Sequence, residues 1–305
     1  MRKKESIMKK QLLFASLLTL FARPAYSMNL PAVDEQEEEA WDPEEYEKNS
    51  RGQLGAGKIM LAECPIPEGV TVVDLGCGIG NLAAHITTEL GHDGFVIGVD
   101  NDARMIDYAK TKHESLFHLT FQKLNATNLS GIDDGSIGYF ISIYCLSWVK
   151  TLDEMKMIMK EVARCLQPGG QFIARFTINH SAERNIPYLH AIDDVVTQDK
   201  WSHYYKGNVP LVNRLDIKDY EAALQEAGLQ GEVTTVKLAS FKLEREKLGQ
   251  GLMSLPTGKL IPANRREEFF DEIREALSNY AEKDADGNFV LAGNPCVIKA
   301  FKPIL

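Results

Sequence analysis

A chain of 305 residues that is 44% apolar and 25% charged has the composition of a folded, soluble protein and can bury a large core, which excludes fibrous and wholly disordered classes. Its net charge of −9 leaves no basic footprint for nucleic acid, and the acidity is concentrated: Met28 to Glu47 holds nine acidic residues and no Lys or Arg. Five widely spaced cysteines, Cys64, Cys77, Cys145, Cys165 and Cys296, read as reduced core thiols, neither a disulfide framework nor a zinc site.

In chain order, Arg2, Lys3, Lys4, Lys9 and Lys10 precede the apolar run Leu12 to Ala22, and Ala25-Tyr26-Ser27 offers small residues at a cleavage spacing. Residues 1–27 therefore read as a secretory leader whose apolar run is short for a bilayer span. Export follows if that leader is used; a start at Met28 leaves the protein in the cytoplasm, and an uncleaved anchor is the third alternative. Residues 28–45 read as an acidic, solvated linker, and 46–305 as one α/β domain with additions.

From Gln53 to Cys64, Leu54, Ile59, Met60 and Leu61 recur at helical spacing until Pro65. Strand and helix then alternate: strand Val70–Leu75, helix Ile79–Leu90, strand Phe95–Val99, helix Asp102–His113 and strand Leu119–Leu124. Strand Ile137–Ile143, helix Leu152–Leu166, a Pro168-Gly169-Gly170 turn and strand Gln171–Phe176 complete the series. Such alternation predicts right-handed crossovers and a doubly wound, mostly parallel, Rossmann-like sheet that binds ligands at its strands' C-terminal ends. After Phe176 the rhythm breaks. A helix over Ser181–Asp199 and an aromatic stretch, Trp201, Tyr204, Tyr205 and Val209-Pro210, read as a lid-like insertion over about 179–215. Helix Asp216–Ala227, strand Val233–Phe241, helix Arg265–Tyr280 and strand Val297–Phe301 follow.

The informative stretch is Val72-Val73-Asp74-Leu75-Gly76-Cys77-Gly78-Ile79-Gly80-Asn81, an apolar strand feeding a glycine-rich turn and then a helix. Glycines at 76, 78 and 80 permit positive φ and close approach of a ligand to the helix N-terminus. A dinucleotide fingerprint would have its third glycine at position 81, where Asn81 stands, and a phosphate loop would continue with Gly-Lys-Ser/Thr. Asp74 beneath the turn would repel a pyrophosphate and attract a cation. Asp100, at the tip of the second strand, stands where a carboxylate would accept both hydroxyls of a ribose diol.

These residues resemble motif I of the class I S-adenosylmethionine (SAM) methyltransferases. The resemblance implies a seven-stranded sheet and SAM as cofactor. Tyr46-Glu47-Lys48-Asn49-Ser50-Arg51-Gly52-Gln53, taken with Phe140 to Val149, resembles small-molecule carboxyl methyltransferases of the juvenile hormone acid, trans-aconitate and salicylate types. The likeness covers most of Tyr46 to Phe176 and loosens beyond. It implies cofactor contacts from Tyr46, Ser50, Asp74, Gly76, Cys77, Gly78, Gly80, Asp100, Asn101, Met105, Asn125, Ala126 and Ser142. Asn125 stands where the family more usually has Asp, and an amide there could accept from the adenine amino group and donate to a ring nitrogen. The Asn/Asp-Pro-Pro-aromatic motif of amide and base methylation is missing after the fourth strand.

By the same resemblance, Gln53 and Trp148 would donate their N–H groups to the carboxylate of a small organic acid, the expected partner. A carboxylate is already ionised and nucleophilic at neutral pH, so no general base is required. The alternatives are N-, C- or phenolic O-methylation of another acceptor, and a SAM-binding module without turnover. The seven histidines form no metal-ligand spacing, so no metal is expected; His85, His92, His113 and His118 read as surface or helix-face residues, and His180 alone lies near a strand tip. Ser142 and Ser147 lack a nucleophile elbow.

Overall fold

The computed structural model describes residues 41–90, 94–178, 187–205, 215–236, 241–243, 260–291 and 295–304. The leader, most of the acidic linker, His180 and Val209-Pro210 lie outside the described residues.

Helix α1 (Pro43–Asn49) begins inside the stretch expected as linker, because Asp42 caps it by accepting from the Glu45 N–H and Pro43 occupies a first-turn position. Helix α2 (Arg51–Glu63) follows after Ser50 and ends at Cys64. Then come β1 (Thr71–Leu75), α3 (Asn81–Glu89), β2 (Phe95–Asp100), α4 (Ala103–Lys112), β3 (Leu119–Lys123), β4 (Ile137–Ile143), α5 (Leu152–Cys165) and β5 (Leu166–Phe176). Local chemistry sets the ends. Asp102 caps α4 through the Arg104 and Met105 N–H groups, and Thr151 and Glu154 form a capping box on α5.

Beyond β5 lie α6 (Pro187–Val196), α7 (Asp199–Ser202), α8 (Ile217–Glu226), β6 (Gln230–Thr235), β7 (Phe241–Leu243), α9 (Arg266–Leu277), β8 (Glu282–Lys283), β9 (Phe289–Leu291) and β10 (Cys296–Phe301). The main sheet runs β3-β2-β1-β4-β5-β10-β6. Strands β1 to β5 pair in parallel, and β10 is antiparallel to both its neighbours, β5 and β6. The seven-stranded, mostly parallel expectation holds. Pro168-Gly169-Gly170 falls within β5 as an irregularity: pairing jumps from Ile137 with Leu166 to Tyr139 with Gln171, and Gly169 takes φ 78°.

The sheet carries apolar clusters on its two faces. Val73, Leu75, Phe140, Phe172, Ala174 and Ile298 pack with α5 and α8, while Val72, Tyr139, Ile141 and Ile173 pack with Met60 of α2 and Ile86 of α3. A separate cluster joins Ile192 and Val195 of α6, Trp201, and Phe269, Phe270 and Ile273 of α9. The stretch read as a lid is thus half of a second core whose other half lies some seventy residues further along the chain. Trp201 is fully buried there, with its indole N–H donating to Glu272 and Arg265 stacked at 4.3 Å, so it is committed to packing and not to covering a site. No helix among the described residues is long and apolar enough to cross a membrane.

Candidate active site

At the C-terminal end of β1 the chain turns through Gly76, Gly78 and Gly80, with φ of 78°, 53° and 75°. The N–H groups of Gly76 and Cys77 both donate to the Val99 carbonyl, at 2.7 and 2.9 Å, tying the turn to β2. Helix α3 starts at Asn81, two residues later than the sequence suggests, because Gly80 takes the left-handed conformation at its N-cap. The turn is also held from outside. His113, half-buried at the C-terminal end of α4, bonds through Nε2 to the Ile79 carbonyl at 3.1 Å and lies against Phe121, so of the two expected places it takes the helix face and braces the turn. Asn81 accepts from Lys112 at 2.9 Å, and Lys112 and Tyr108 also donate to Glu47, which fastens α1 onto α4.

Two carboxyl groups face this turn. Asp100 accepts from the Gly78 N–H at 2.8 Å on one oxygen and from the Asp102 N–H at 3.0 Å on the other, so its plane is fixed while each oxygen keeps a free lone pair. Burial pushes its carboxyl up from the ordinary value. Asp74 is 2% exposed, and one of its oxygens has no hydrogen-bond partner. Burial first, and the Asp100 charge second, push its carboxyl up to about 7. Tyr46 lies over Gly78, where an added Cβ would stand 3.4 Å from its ring; its phenol is raised by burial and by the two acids. The thiols of Cys77 and Cys145 are raised by burial and the same acids, Cys145 to about 12. The crevice therefore concentrates negative potential with an unsatisfied acceptor, which suits a cationic ligand and disfavours a phosphate.

Because Asp74 titrates near 3.8 when unfolded and near 7 when folded, the folded state holds the extra proton between those values. The stability of the free protein will therefore fall as pH rises from about 4 to about 7. Cation binding will strengthen over the same interval, as the carboxylate forms. Thermal unfolding and calorimetric titration with SAM across that range check both slopes, and Asp74→Asn should flatten each.

The other expected contacts separate into several groups. Ser50 is buried between α1 and α2, and Met105 is buried in the first turn of α4. Asn101 is exposed beside Asp100. Ser142 is fully buried and donates its hydroxyl to the Leu75 carbonyl at 2.9 Å, so it joins the ends of β1 and β4. Asn125 accepts on Oδ1 from both the Thr127 N–H and hydroxyl, at 3.0 and 2.9 Å, which fills both lone pairs. Only its NH2 remains to meet a ligand, so it can donate to a ring nitrogen but not accept from an amino group. Ala126 packs against the main core.

After β4, Tyr144 takes φ 63°, in the left-handed region that costs a tyrosine about 1–3 kcal/mol, and a short 3-10 turn, Cys145–Trp148, follows. Trp148 is 38% exposed and meets Trp41 edge to face at 5.3 Å; Trp41 meets Tyr46 in the same way at 5.4 Å. Gln53 lies part-buried in the first turn of α2. Trp41 escaped the sequence reading, although a lone tryptophan in an acidic stretch is a signal of packing; its backbone N–H donates to the Asp102 carboxylate at 2.9 Å. Arg175 escaped too, although a charge inside an apolar strand is equally legible. Among the described residues no group of three potential ligands could hold a metal ion.

Residues 72–170, the span from β1 into β5, match a family described as a methyltransferase domain. The 235L protein of Invertebrate iridescent virus 6, named as a methyltransferase, is 25% identical over 242 residues, covering 79% of this chain and 85% of the viral one. Trans-aconitate 2-methyltransferase of Azoarcus sp. BH72 is 26% identical over 140 residues, 46% of this chain and 52% of that enzyme; the chain spans about half the length of this and the next curated relatives. Among solved structures, the YcgJ protein of Bacillus subtilis superposes with a TM-score of 0.57 at 15% identity, covering 83% of this chain and 99% of that one. Family match, relatives and sheet order agree with a crevice built for a cation: residues 72–170 carry a methyltransferase domain on the class I fold, with SAM as its cofactor.

Proposed function

We propose that the acceptor is the carboxylate of a small organic acid, methylated on oxygen. The observation that carries this reading is the protonation of the crevice. The phenol of Tyr46 and the thiols of Cys77 and Cys145 are held in their neutral forms well above neutral pH, and the two acids, Asp74 and Asp100, are the groups that would hold the cofactor's charge and ribose, which leaves the acceptor side without a base of its own. An acceptor that arrives already ionised and nucleophilic suits such a site, whereas an ammonium or phenol would need a base. A trans-aconitate methyltransferase among the relatives is in keeping with this.

SAM, when bound, supplies a methyl group made electrophilic by the positive sulfur. Asp74, Asp100, Tyr46 and the glycine turn fit its charge and its ribose, and are the residues that would hold it. The indole N–H of Trp148 and the amide of Gln53 would orient the acceptor's carboxylate without the strong pairing a cation imposes. Positioning of this kind supplies about 7–11 kcal/mol of effective-molarity advantage. The Trp41, Tyr46 and Trp148 rings keep water from the crevice wall.

The test is release of S-adenosylhomocysteine over a panel of carboxylic acids, amines and phenols. Turnover is expected with acids, and turnover confined to amines or phenols overturns the assignment. Gln53→Ala and Trp148→Phe, the latter keeping an aromatic ring against Trp41 but losing the N–H, should each raise the KM for the acid roughly tenfold, the worth of one hydrogen bond to a charged group. SAM affinity should stay within about twofold, and an equal loss of both would remove the assigned roles.

A further inference from the structure

Arg175 lies near the end of β5, in the otherwise apolar run Phe172 to Phe176, and only 5% of its surface is exposed. Its Nε is buried without an acceptor, and no carboxylate, hydroxyl or carbonyl among the described residues takes a hydrogen bond from its guanidinium. A guanidinium cannot shed its proton to escape burial, as a lysine can, so a buried one ordinarily has an anion beside it.

Its place follows from register. Asp74 pairs with Gly98 on one side and Ile141 on the other, Ile141 with Ile173, and, two residues nearer the rim, Ile143 with Arg175. Alternation puts Arg175 on the same face as Asp74 and in the same row as Asp100; from backbone to backbone it is about 12 Å from the first, two strands over and two residues down, and roughly 14 Å from the second, three strands over, too far for either to sit beside it as an ion-pair partner. That face is covered by α2. Tyr139 donates to the Cys64 carbonyl at 2.7 Å, which fixes the C-terminal end of α2 at the lower rows and turns its first residues, with Gln53, toward the rim.

We propose that Arg175 pairs with an anionic group of the acceptor other than the oxygen that is methylated, so that the acceptor is a small acid with at least one further negative charge. A guanidinium on the reacting oxygen would hold its electrons and set a second positive charge beside the sulfonium. On a remote carboxylate it fixes orientation bidentately and selects against monoacids. In a chain of net charge −9 such a cation is also what an anionic acceptor needs locally. The nucleophile rests on the carboxylate reading above; the pairing does not.

The test is calorimetry on the full chain saturated with S-adenosylhomocysteine, using succinate, glutarate and adipate against butyrate, valerate and hexanoate. The wild-type protein should bind a diacid roughly 10- to 100-fold more tightly than the monoacid of equal length, the range of one charge-assisted pair. Arg175→Met should abolish that difference by weakening the diacid alone, Arg175→Lys should restore part of it, and the Tm of Arg175→Met should equal or exceed that of the wild type because an unpaired buried charge has gone. Equal binding of diacid and monoacid by the wild-type protein, or equal weakening of both in Arg175→Met, or a lower Tm in that variant, overturns the proposal. If turnover is confined to amines, the same comparison is made with amines bearing or lacking a carboxylate. A preference that vanishes in Arg175→Met then supports Arg175 while the carboxylate reading falls; no preference removes Arg175, whichever nucleophile reacts.

Discussion

Gly76→Ala will destabilise the protein by about 2–4 kcal/mol and remove measurable SAM binding. At φ 78°, an added Cβ would lie 2.4 Å from the Cβ and 2.6 Å from the Sγ of Cys145, and neither is the far end of a flexible chain. A backbone conformation that L-residues resist adds about 1 kcal/mol to an overpacking cost of about 1–3 kcal/mol. Relief would have to come from the 3-10 turn carrying Trp148, or from the Gly76 and Cys77 N–H bonds to Val99, so the glycine turn and the β4 tip shift together. Chemical denaturation and SAM calorimetry check this. Cys145→Gly in the same chain should recover part of the stability, since it removes the contact and leaves the φ penalty. An alanine variant as stable as wild type would mean that the turn is free to move.

Asp100→Ala should weaken SAM by about a hundredfold or more. The two N–H groups that now hold the carboxylate, from Gly78 and Asp102, would lose their acceptor, and so would the ribose hydroxyls that the remaining lone pairs suit. Hydrogen bonds to a charged group contribute about 1.5–3 kcal/mol each, and two of them account for the factor. A second readout distinguishes this from general damage. Asp100 is the second cause of the raised Asp74 carboxyl, so its loss should move the pH midpoint of free-protein stability downward. Unchanged affinity would show that another group meets the ribose.

The core of the fold is readable in the sequence because β1 to β5 are apolar runs punctuated by Gly and Asp, and each pairs with a near neighbour in the chain. Asp74, Gly76, Gly78 and Asp100 are readable for the same reason: strand, turn and helix fix them locally. What was not readable depends on distance. Trp201 reads as part of a lid-like aromatic stretch until α9 is brought against it, and no local pattern announces that pairing. Ser142 and Asn125 read as ligand contacts by family resemblance, and what the sequence leaves out is their local bonding: the Ser142 hydroxyl donates to the Leu75 carbonyl, and Thr127 occupies Oδ1 of Asn125, leaving its NH2 for a ligand. Trp41 stands in an acidic run whose composition suggests solvation, and only the Tyr46 and Trp148 rings show it as part of the crevice wall.

The antiparallel strand β10 bears on how the molecule is made. Cys296 to Phe301 are hydrogen-bonded on both edges, to β5 and to β6, so a strand synthesised after all the others of this sheet occupies an interior position in it. On the ribosome, the five parallel strands can form while β5 still exposes an unpaired edge of apolar residues, and β6 has nothing to join. The sheet closes only after translation has passed residue 301. A nascent chain stalled short of that point would carry an open, aggregation-prone flank, and this makes the late-emerging segment, not the cofactor turn, the point at which synthesis commits to the native state.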